Sequence, residues 1–389
     1  MSMLLVLAGL WPPKDTPSEW NRKLNWQPIP IESEPLDKDT LLLVRTPCPR
    51  YHEAVEEVLK SPEVESQIAP YVDMMKELTE ITGLEIKTPD DLFRHGHRTP
   101  ADTYPNDPYF NESFPPYGWG HLTNFGKNYM FNTGQFLRRR YEKFLGREYE
   151  PNTIYAHSTG VLLLVRTPCP RYHEAVEEVL KVPEVESQIA PYVDMMKELT
   201  EITGLEIKTP DDVQSLFSTL KAEEEYGLKL PEWTKRFFPD RLIPLTELSY
   251  IWNVQTQEMK RLKAGPFLQK LVDEWKAASE GTLKPKDRKM YLYTGHDSSI
   301  VNVLHALGVW DVQLPDYAIM GIFELVRDRP TGKYGVQLYL RNSTAEPTPL
   351  TIPGCEFFCP LEKAFGLIAP VLPINHEVQD DNKGCKFSF

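Results

Sequence analysis

The chain of 389 residues is 41% hydrophobic and 25% charged, globular values that exclude a disordered polymer. A formal net charge of −13 argues against a nucleic-acid partner, and no apolar run is long enough to span a bilayer. The length allows one large domain or two ordinary ones, and 35 prolines point to long irregular connections.

In chain order, Met3–Leu10 is apolar and imitates the core of a signal peptide. It has no Lys or Arg before it and no small-residue cleavage site after it. Leu41–Asp91 and Leu162–Asp212 are the same 51 residues, differing only at Ser61 and Val182. Two near-identical copies separated by unrelated sequence indicate a recent duplication or a misassembled gene, not a solenoid. Within the first copy Ile68, Tyr71, Val72, Met75, Leu78 and Ile81 recur at helical spacing, which predicts a helix over Glu65–Gly83. The second copy repeats the pattern with Ile189, Tyr192, Val193, Met196, Leu199 and Ile202. Lys87-Thr-Pro-Asp-Asp91 is poor strand material, so the strand running into Arg94 is expected to be truncated to little more than Leu92 and Phe93.

Thr123–Gly146 predicts an amphipathic helix, with Arg138–Arg140 on a solvated face near its end. Thr153–His157 reads as a strand, and Gly160 then leads at once into the second repeat copy. Beyond Val213, helices are predicted over Ser215–Tyr226 and Met259–Glu280 and a buried strand over Lys289–Thr294. Ser298 is predicted to cap a helix ending at Leu307, and Ala318–Arg327 and Tyr334–Arg341 to form a hairpin.

The chemistry gathers in two places. Arg94-His95-Gly96-His97-Arg98-Thr99-Pro100 sets one histidine between two arginines. Guanidinium forks clamp phosphate oxygens, a neutral imidazole between them can attack phosphorus, and glycine lets backbone approach an anion. His296-Asp297 stands at a predicted strand-to-helix junction, where helix amides favour an anion and a carboxylic acid can protonate a leaving group.

The order Arg-His-Gly-x-Arg-x-Pro is the signature of the histidine phosphatase superfamily. Arg98–Pro108 and Gly118–Gly126 resemble its histidine acid phosphatases, above all the insect members, including venom acid phosphatases. The resemblance implies an α/β fold: a phosphoglycerate-mutase-like mixed sheet flanked by helices, with a mainly helical insert domain. It divides the chain into a displaced family segment at 1–40, in which Met3–Leu10 is a core helix, and an extra helical repeat copy at 41–91. An α/β catalytic core follows at 92–160 and 285–389, with the helical insert at 161–284.

It further implies hydrolysis of small phosphomonoesters at acidic pH, without cofactor or metal. His95 would be the nucleophile, Arg94, Arg98 and His296 the phosphate ligands, and Asp297 the acid. His97 stands where acid phosphatases usually carry an acidic residue, which adds positive charge. The family's third phosphate-binding arginine, in an Asp-x-x-Arg motif after the second strand, does not follow Ser158-Thr159. Cys355 and Cys359 resemble a short-loop disulfide of the family, and Cys385 a half-cystine whose partner lies in a Cys-Pro-Arg stretch, here Cys169 or Cys48. Sequons at Asn111 and Asn342 fit a secreted or lysosomal glycoprotein, and a homodimer is common in that family. Two other readings stand beside this one. One is an inactive relative that binds phosphorylated ligands or serves as an antigen. The other is an inositol polyphosphate phosphatase, whose usual His-Ala-Glu is here His296-Asp297-Ser298.

Overall fold

The computed structural model describes residues 1–31 apart from 15, 17 and 20–24, residues 84–158 apart from 147, and residues 175–374 apart from 177. Its strands are β1 (Leu84–Arg94), β2 (Ile154–Ser158), β3 (Met290–Gly295), β4 (Met320–Asp328), β5 (Tyr334–Arg341), β6 (Thr348–Leu350) and β7 (Cys359–Pro360). They form one mixed sheet in the order β2-β3-β1-β4-β5-β6, with β7 against β5. Its helices are α1 (Ser2–Leu10), α2 (Asn124–Leu145), α3 (Pro183–Ile189), α4 (Val193–Thr203), α5 (Pro210–Tyr226), α6 (Ile243–Trp252), α7 (Gln257–Glu280), α8 (Asp297–Ala306) and α9 (Leu361–Ile368).

Strand alternation sends successive side chains to opposite faces of the sheet. Leu92, Tyr293 and Phe323 pack with α7, α8 and α9, while Phe93, Leu292 and Ile322 pack with α1 and α2. Met3, Val6, Leu7 and Leu10 of α1 are all buried in that second layer. A separate apolar cluster joins α4, α5 and α6 through Met196, Leu199, Phe217, Leu220 and Leu245. Among the described residues, no helix is long and apolar enough to cross a membrane.

One expectation is overturned at β1. Lys87–Asp91 does not shorten the strand: β1 runs eleven residues through the middle of the sheet, and the end of the first repeat copy is strand, not helix. The same octapeptide, Leu-Glu-Ile-Lys-Thr-Pro-Asp-Asp, occurs again at 205–212, where it is a loop and a helix start. There Thr209 caps α5 by accepting from Asp212 N at 3.3 Å, Asp212 Oδ2 accepts from Thr209 N at 2.8 Å, and Pro210 fills the first turn. This capping box starts α5 five residues earlier than apolar spacing alone suggested. At 84–91 the flanking strands decide instead. β1 pairs parallel with β3 and antiparallel with β4, with a register shift between Ile86 and Thr88 just ahead of Pro89. Tertiary pairing overrides local preference there.

The override buries two carboxyl groups. Asp90 and Asp91 are both 0% exposed. Asp90 Oδ2 accepts from Trp275 Nε1 at 2.9 Å, while its Oδ1 and the Asp91 Oδ2 have no hydrogen-bond partner. Burial, and then the charge of Glu274, holds Asp90 well above the ordinary carboxylate value. Burial and Glu324 do the same to Asp91 across the sheet. Glu324 is answered by Arg140, whose Nε donates to it at 2.8 Å while its guanidinium covers the Tyr339 ring at 4.5 Å. Arg140 is therefore no part of a solvated face, because a carboxylate buried in β4 needs a cation.

Another buried acid, Glu223 of α5, is pushed up to about 8 by burial, with Asp107 adding to the shift. The folded state thus holds a proton that the unfolded chain releases near ~4.3, so stability falls as pH rises from there to about 8. A Glu223→Gln chain is expected to lose less melting temperature than the parent between pH 5 and pH 8. Calorimetry over that range checks it; parallel curves would refute it.

The helix expected at Glu65–Gly83, and Cys48, Cys169 and Cys385, lie outside the described residues.

Candidate active site

β1 and β3 are parallel neighbours that end level with each other, Arg94 opposite Gly295. The two motifs lie over 200 residues apart in the chain and leave the sheet side by side at its carboxyl end, where open α/β sheets place ligands. Arg94 N donates to Ile319 O at 2.9 Å, and Ala318 N donates to His95 O at 3.2 Å, which fixes the turn against the start of β4. Gly96 then presses on the backbone of Gly126 in the first turn of α2; a Cβ on either glycine would collide with the other segment's carbonyl. A Gly126→Ala chain is expected to force α2 off the loop, losing phosphate affinity together with about 1–3 kcal/mol of stability by overpacking. Phosphate titration with parallel denaturant unfolding tests this; unchanged affinity would contradict it.

His95 Nδ1 lies 2.9 Å from the Gly96 carbonyl oxygen. A carbonyl only accepts, so Nδ1 carries the proton and Nε2 keeps its lone pair. The His95 and His296 rings meet edge to face, 5.8 Å between centroids and 78° between planes. Burial, and then the charges of Arg98 and Arg94, hold the His95 imidazole well below its ordinary value, which favours its neutral form. Arg94 donates from Nη1 to Pro315 O at 2.5 Å, reaches Asp297 Oδ2 from Nη2 at 3.0 Å, and covers the Tyr317 ring at 4.5 Å. Arg98 sits in a short backbone bridge to Leu122, within electrostatic reach of Arg94, Tyr317 and Asp297.

His296, not Ser298, occupies the N-cap of α8, and Ser299 Oγ accepts from its N–H at 3.3 Å. Asp297 thereby enters the first helical turn, with Oδ1 accepting from Ser298 N at 2.7 Å. Burial alone would raise its carboxyl. Arg94 and His296 outweigh that and hold it below the ordinary carboxylate value.

His97 is not the free positive charge suggested by its place in the motif. It is 5% exposed, with Nδ1 2.7 Å from Thr123 Oγ1 and Nε2 3.7 Å from Glu225 Oε2. Burial lowers its pKa while Glu225 pulls the other way. It ties the motif loop to the cap of α2 and to α5. Arg94, His95, Arg98, His296 and Asp297 are thus brought together, and three further side chains join them. Tyr317 lies between His95 and His97 at 5.9 and 5.3 Å, and Tyr250 of α6 approaches Asp297 with Gln214 of α5 behind it. No motif marks these three: Gln214 and Tyr250 are placed by the path of α5 and α6, and Tyr317 by the turn ahead of β4.

Away from this centre, Cys355 and Cys359 form a disulfide. Asn111 is exposed, whereas Asn342 is half-buried and donates from Nδ2 to Gln313 Oε1 at 3.3 Å. β2 ends at Ser158, and the stretch that follows in the chain lies outside the described residues.

The profile of the histidine phosphatase superfamily (branch 2) matches residues 85–161 and 161–341. The chain is 33% identical over 345 residues to venom acid phosphatase Acph-1 of Apis mellifera, an alignment covering 77% of this chain and 88% of that protein. It is 32% identical over 338 residues to prostatic acid phosphatase of Rattus norvegicus, covering 74% and 87%. With lysosomal acid phosphatase of Homo sapiens it shares 30% over 333 residues, covering 72% and 77%. Among solved structures, Hafnia alvei phytase in complex with myo-inositol hexakis sulphate superposes with a TM-score of 0.56 at 16% identity, over 75% of this chain and 98% of that one, a likeness of fold alone. With the motif geometry, the matched span and these identities in agreement, the chain belongs to the histidine phosphatase superfamily, branch 2.

Proposed function

We propose that the chain hydrolyses small phosphomonoesters at acidic pH through a phosphohistidine on His95. The observation that carries this reading is an imidazole whose Nδ1 is engaged by the Gly96 carbonyl, leaving Nε2 to attack, in the motif of Arg94 and Arg98 and close to His296 and Asp297. His95 Nε2 attacks phosphorus as the bond to the ester oxygen breaks. Arg94, Arg98 and His296 hold the non-bridging oxygens, where negative charge concentrates. Asp297 gives its proton to the departing oxygen. Water then attacks the phosphohistidine, passes a proton to the Asp297 carboxylate, and releases phosphate from His95.

Asp297 is held ionised chiefly by Arg94, which opposes its burial. A phosphoryl group that draws Arg94 toward its own oxygens weakens that hold, and acidic pH supplies the proton, so the rate is expected to fall as pH rises. The secreted or lysosomal setting suggested by the relatives' names fits this requirement. Without the family's third arginine after Ser158, turnover is expected about 10²–10³-fold below that of relatives that carry it.

A chain that binds phosphate esters without turning them over is the competing reading, favoured by the missing Asp-x-x-Arg motif. Brief reaction with a ³²P-labelled aryl phosphate at acidic pH, quenched in alkali, separates the two. A protein-bound label that survives alkali and is lost in acid supports the phosphohistidine. Binding with neither label nor phosphate release would overturn it.

A further inference from the structure

The turn ahead of β4, residues 315–319, is fastened to the first motif along its length. Pro315 O accepts from Arg94 Nη1 at 2.5 Å, Ala318 N donates to His95 O at 3.2 Å, and Ile319 O accepts from Arg94 N at 2.9 Å. Between these bonds stands Tyr317. Its ring carries the Arg94 guanidinium carbon 4.5 Å from the ring centroid, and lies 5.9 Å from the His95 ring and 5.3 Å from that of His97. The backbone is bent beside it. Ala318, 0% exposed, holds φ at +58°, a left-handed conformation that a residue with a Cβ keeps only where its surroundings enforce it. Strain of this kind collects where it places a functional group.

We propose that Tyr317 is a positioning residue for Arg94: the face of its ring, set by the strained turn, holds the guanidinium ready for phosphate oxygens. The inference rests on the reading of Arg94 as a phosphate ligand. An aromatic face attracts a cation through the negative charge of its π-cloud, and more strongly where water is kept away. Arg94 is 9% exposed, so little water competes. A guanidinium donates only in its own plane. There Nη1 is taken by Pro315 O and Nη2 by Asp297 Oδ2. A phosphoryl oxygen that draws Nη2 from Asp297 leaves Pro315 O as the printed in-plane hold, whereas the contact with the ring need not break. Without the ring, the ligand itself must order Arg94, and that ordering is subtracted from its affinity.

The test replaces Tyr317 with Phe, with phenylalanines bearing one, two and three ring fluorines, and with Leu. Fluorine drains charge from the ring face and leaves the shape of the side chain nearly unchanged. Two quantities are read on each full-length chain at acidic pH. One is the dissociation constant for inorganic phosphate. The other is the rotation of the Arg94 guanidinium about its Nε–Cζ bond by ¹⁵N NMR, assigned with Arg94→Met. Tyr317→Phe is expected to bind phosphate as the parent does, with affinity falling and rotation quickening at each added fluorine. Tyr317→Leu is expected to lose about five- to thirtyfold in affinity, the worth of a desolvated cation–π contact. A ring that only fills space would give a flat fluorine series with equal melting temperatures. A flat phosphate series overturns the inference, whether or not Tyr317→Leu folds. Failure of the reading beneath it shows separately, as an Arg94→Met chain that binds phosphate like the parent; the guanidinium rotation decides the Tyr317 contact in that case too.

Discussion

A His95→Ala chain is expected to hydrolyse an aryl phosphate about 10³-fold more slowly or worse, since it loses the attacking atom and not merely a ligand. What would survive is slow attack by water on a phosphoryl group still held by Arg94 and Arg98. Little of the fold depends on the imidazole. The turn is fixed by main-chain bonds, Arg94 N to Ile319 O and Ala318 N to His95 O, which alanine retains. Equal melting curves beside collapsed initial rates would separate chemistry from unfolding. Equal rates in parent and variant would remove His95 from the mechanism altogether.

Asp91→Leu is expected to stabilise the protein at neutral pH by about 1–3 kcal/mol, the cost of a buried polar group left without its partner. Leucine has nearly the shape of the acid it replaces. Asp91 Oδ2 has no partner to forfeit, and its Oδ1 gives up only a long 3.4 Å contact from the Tyr141 hydroxyl, which keeps Glu324 at 2.9 Å. Asp90→Leu would gain less, because the Trp275 N–H would lose its acceptor. The pH dependence has a definite sign. Asp91 titrates well above its unfolded value, so the folded chain holds a proton that the unfolded chain gives up near ~3.9. From there upward, stability falls with pH by about 1.4 kcal/mol per unit until the folded group also ionises. Denaturant unfolding at pH 5 and pH 7 should therefore differ more for the parent than for Asp91→Leu. A variant with the parent's slope, or one less stable at neutral pH, would show that the buried carboxyl carries no such penalty.

The two candidate motifs were legible because their chemistry is written in contiguous residues, Arg94 to Arg98 in one, His296 and Asp297 in the other, and β1 and β3 bring them side by side. The long helix α2 was legible too, with Thr123 accepting from Gly126 N at 3.1 Å at its start and Gly146 at its end, as cap chemistry predicts. β1 was not, and the second copy of its octapeptide shows why. Eight identical residues make a capping box where α5 follows and a central strand where β3 and β4 wait, so no local scale could have separated them. Tyr250, Tyr317 and Gln214 were unreadable for a related reason. Gln214 and Tyr250 are brought in by α5 and α6 and Tyr317 by the turn ahead of β4, and nothing in their own neighbourhoods announces it. Arg140 was misread because its partner, Glu324, sits 184 residues away on β4.

The order of the sheet also sets a timetable for synthesis. Both neighbours of β1 lie beyond residue 289. A chain emerging from its amino end must carry Asp90, Asp91 and His95 unpaired until most of its length has been made. Closing so long a loop is slow by entropy alone. The Arg94–Arg98 turn is then among the last parts to settle, and a nascent chain stalled before β3 can hold α3 to α7 and still lack the place where the two motifs meet.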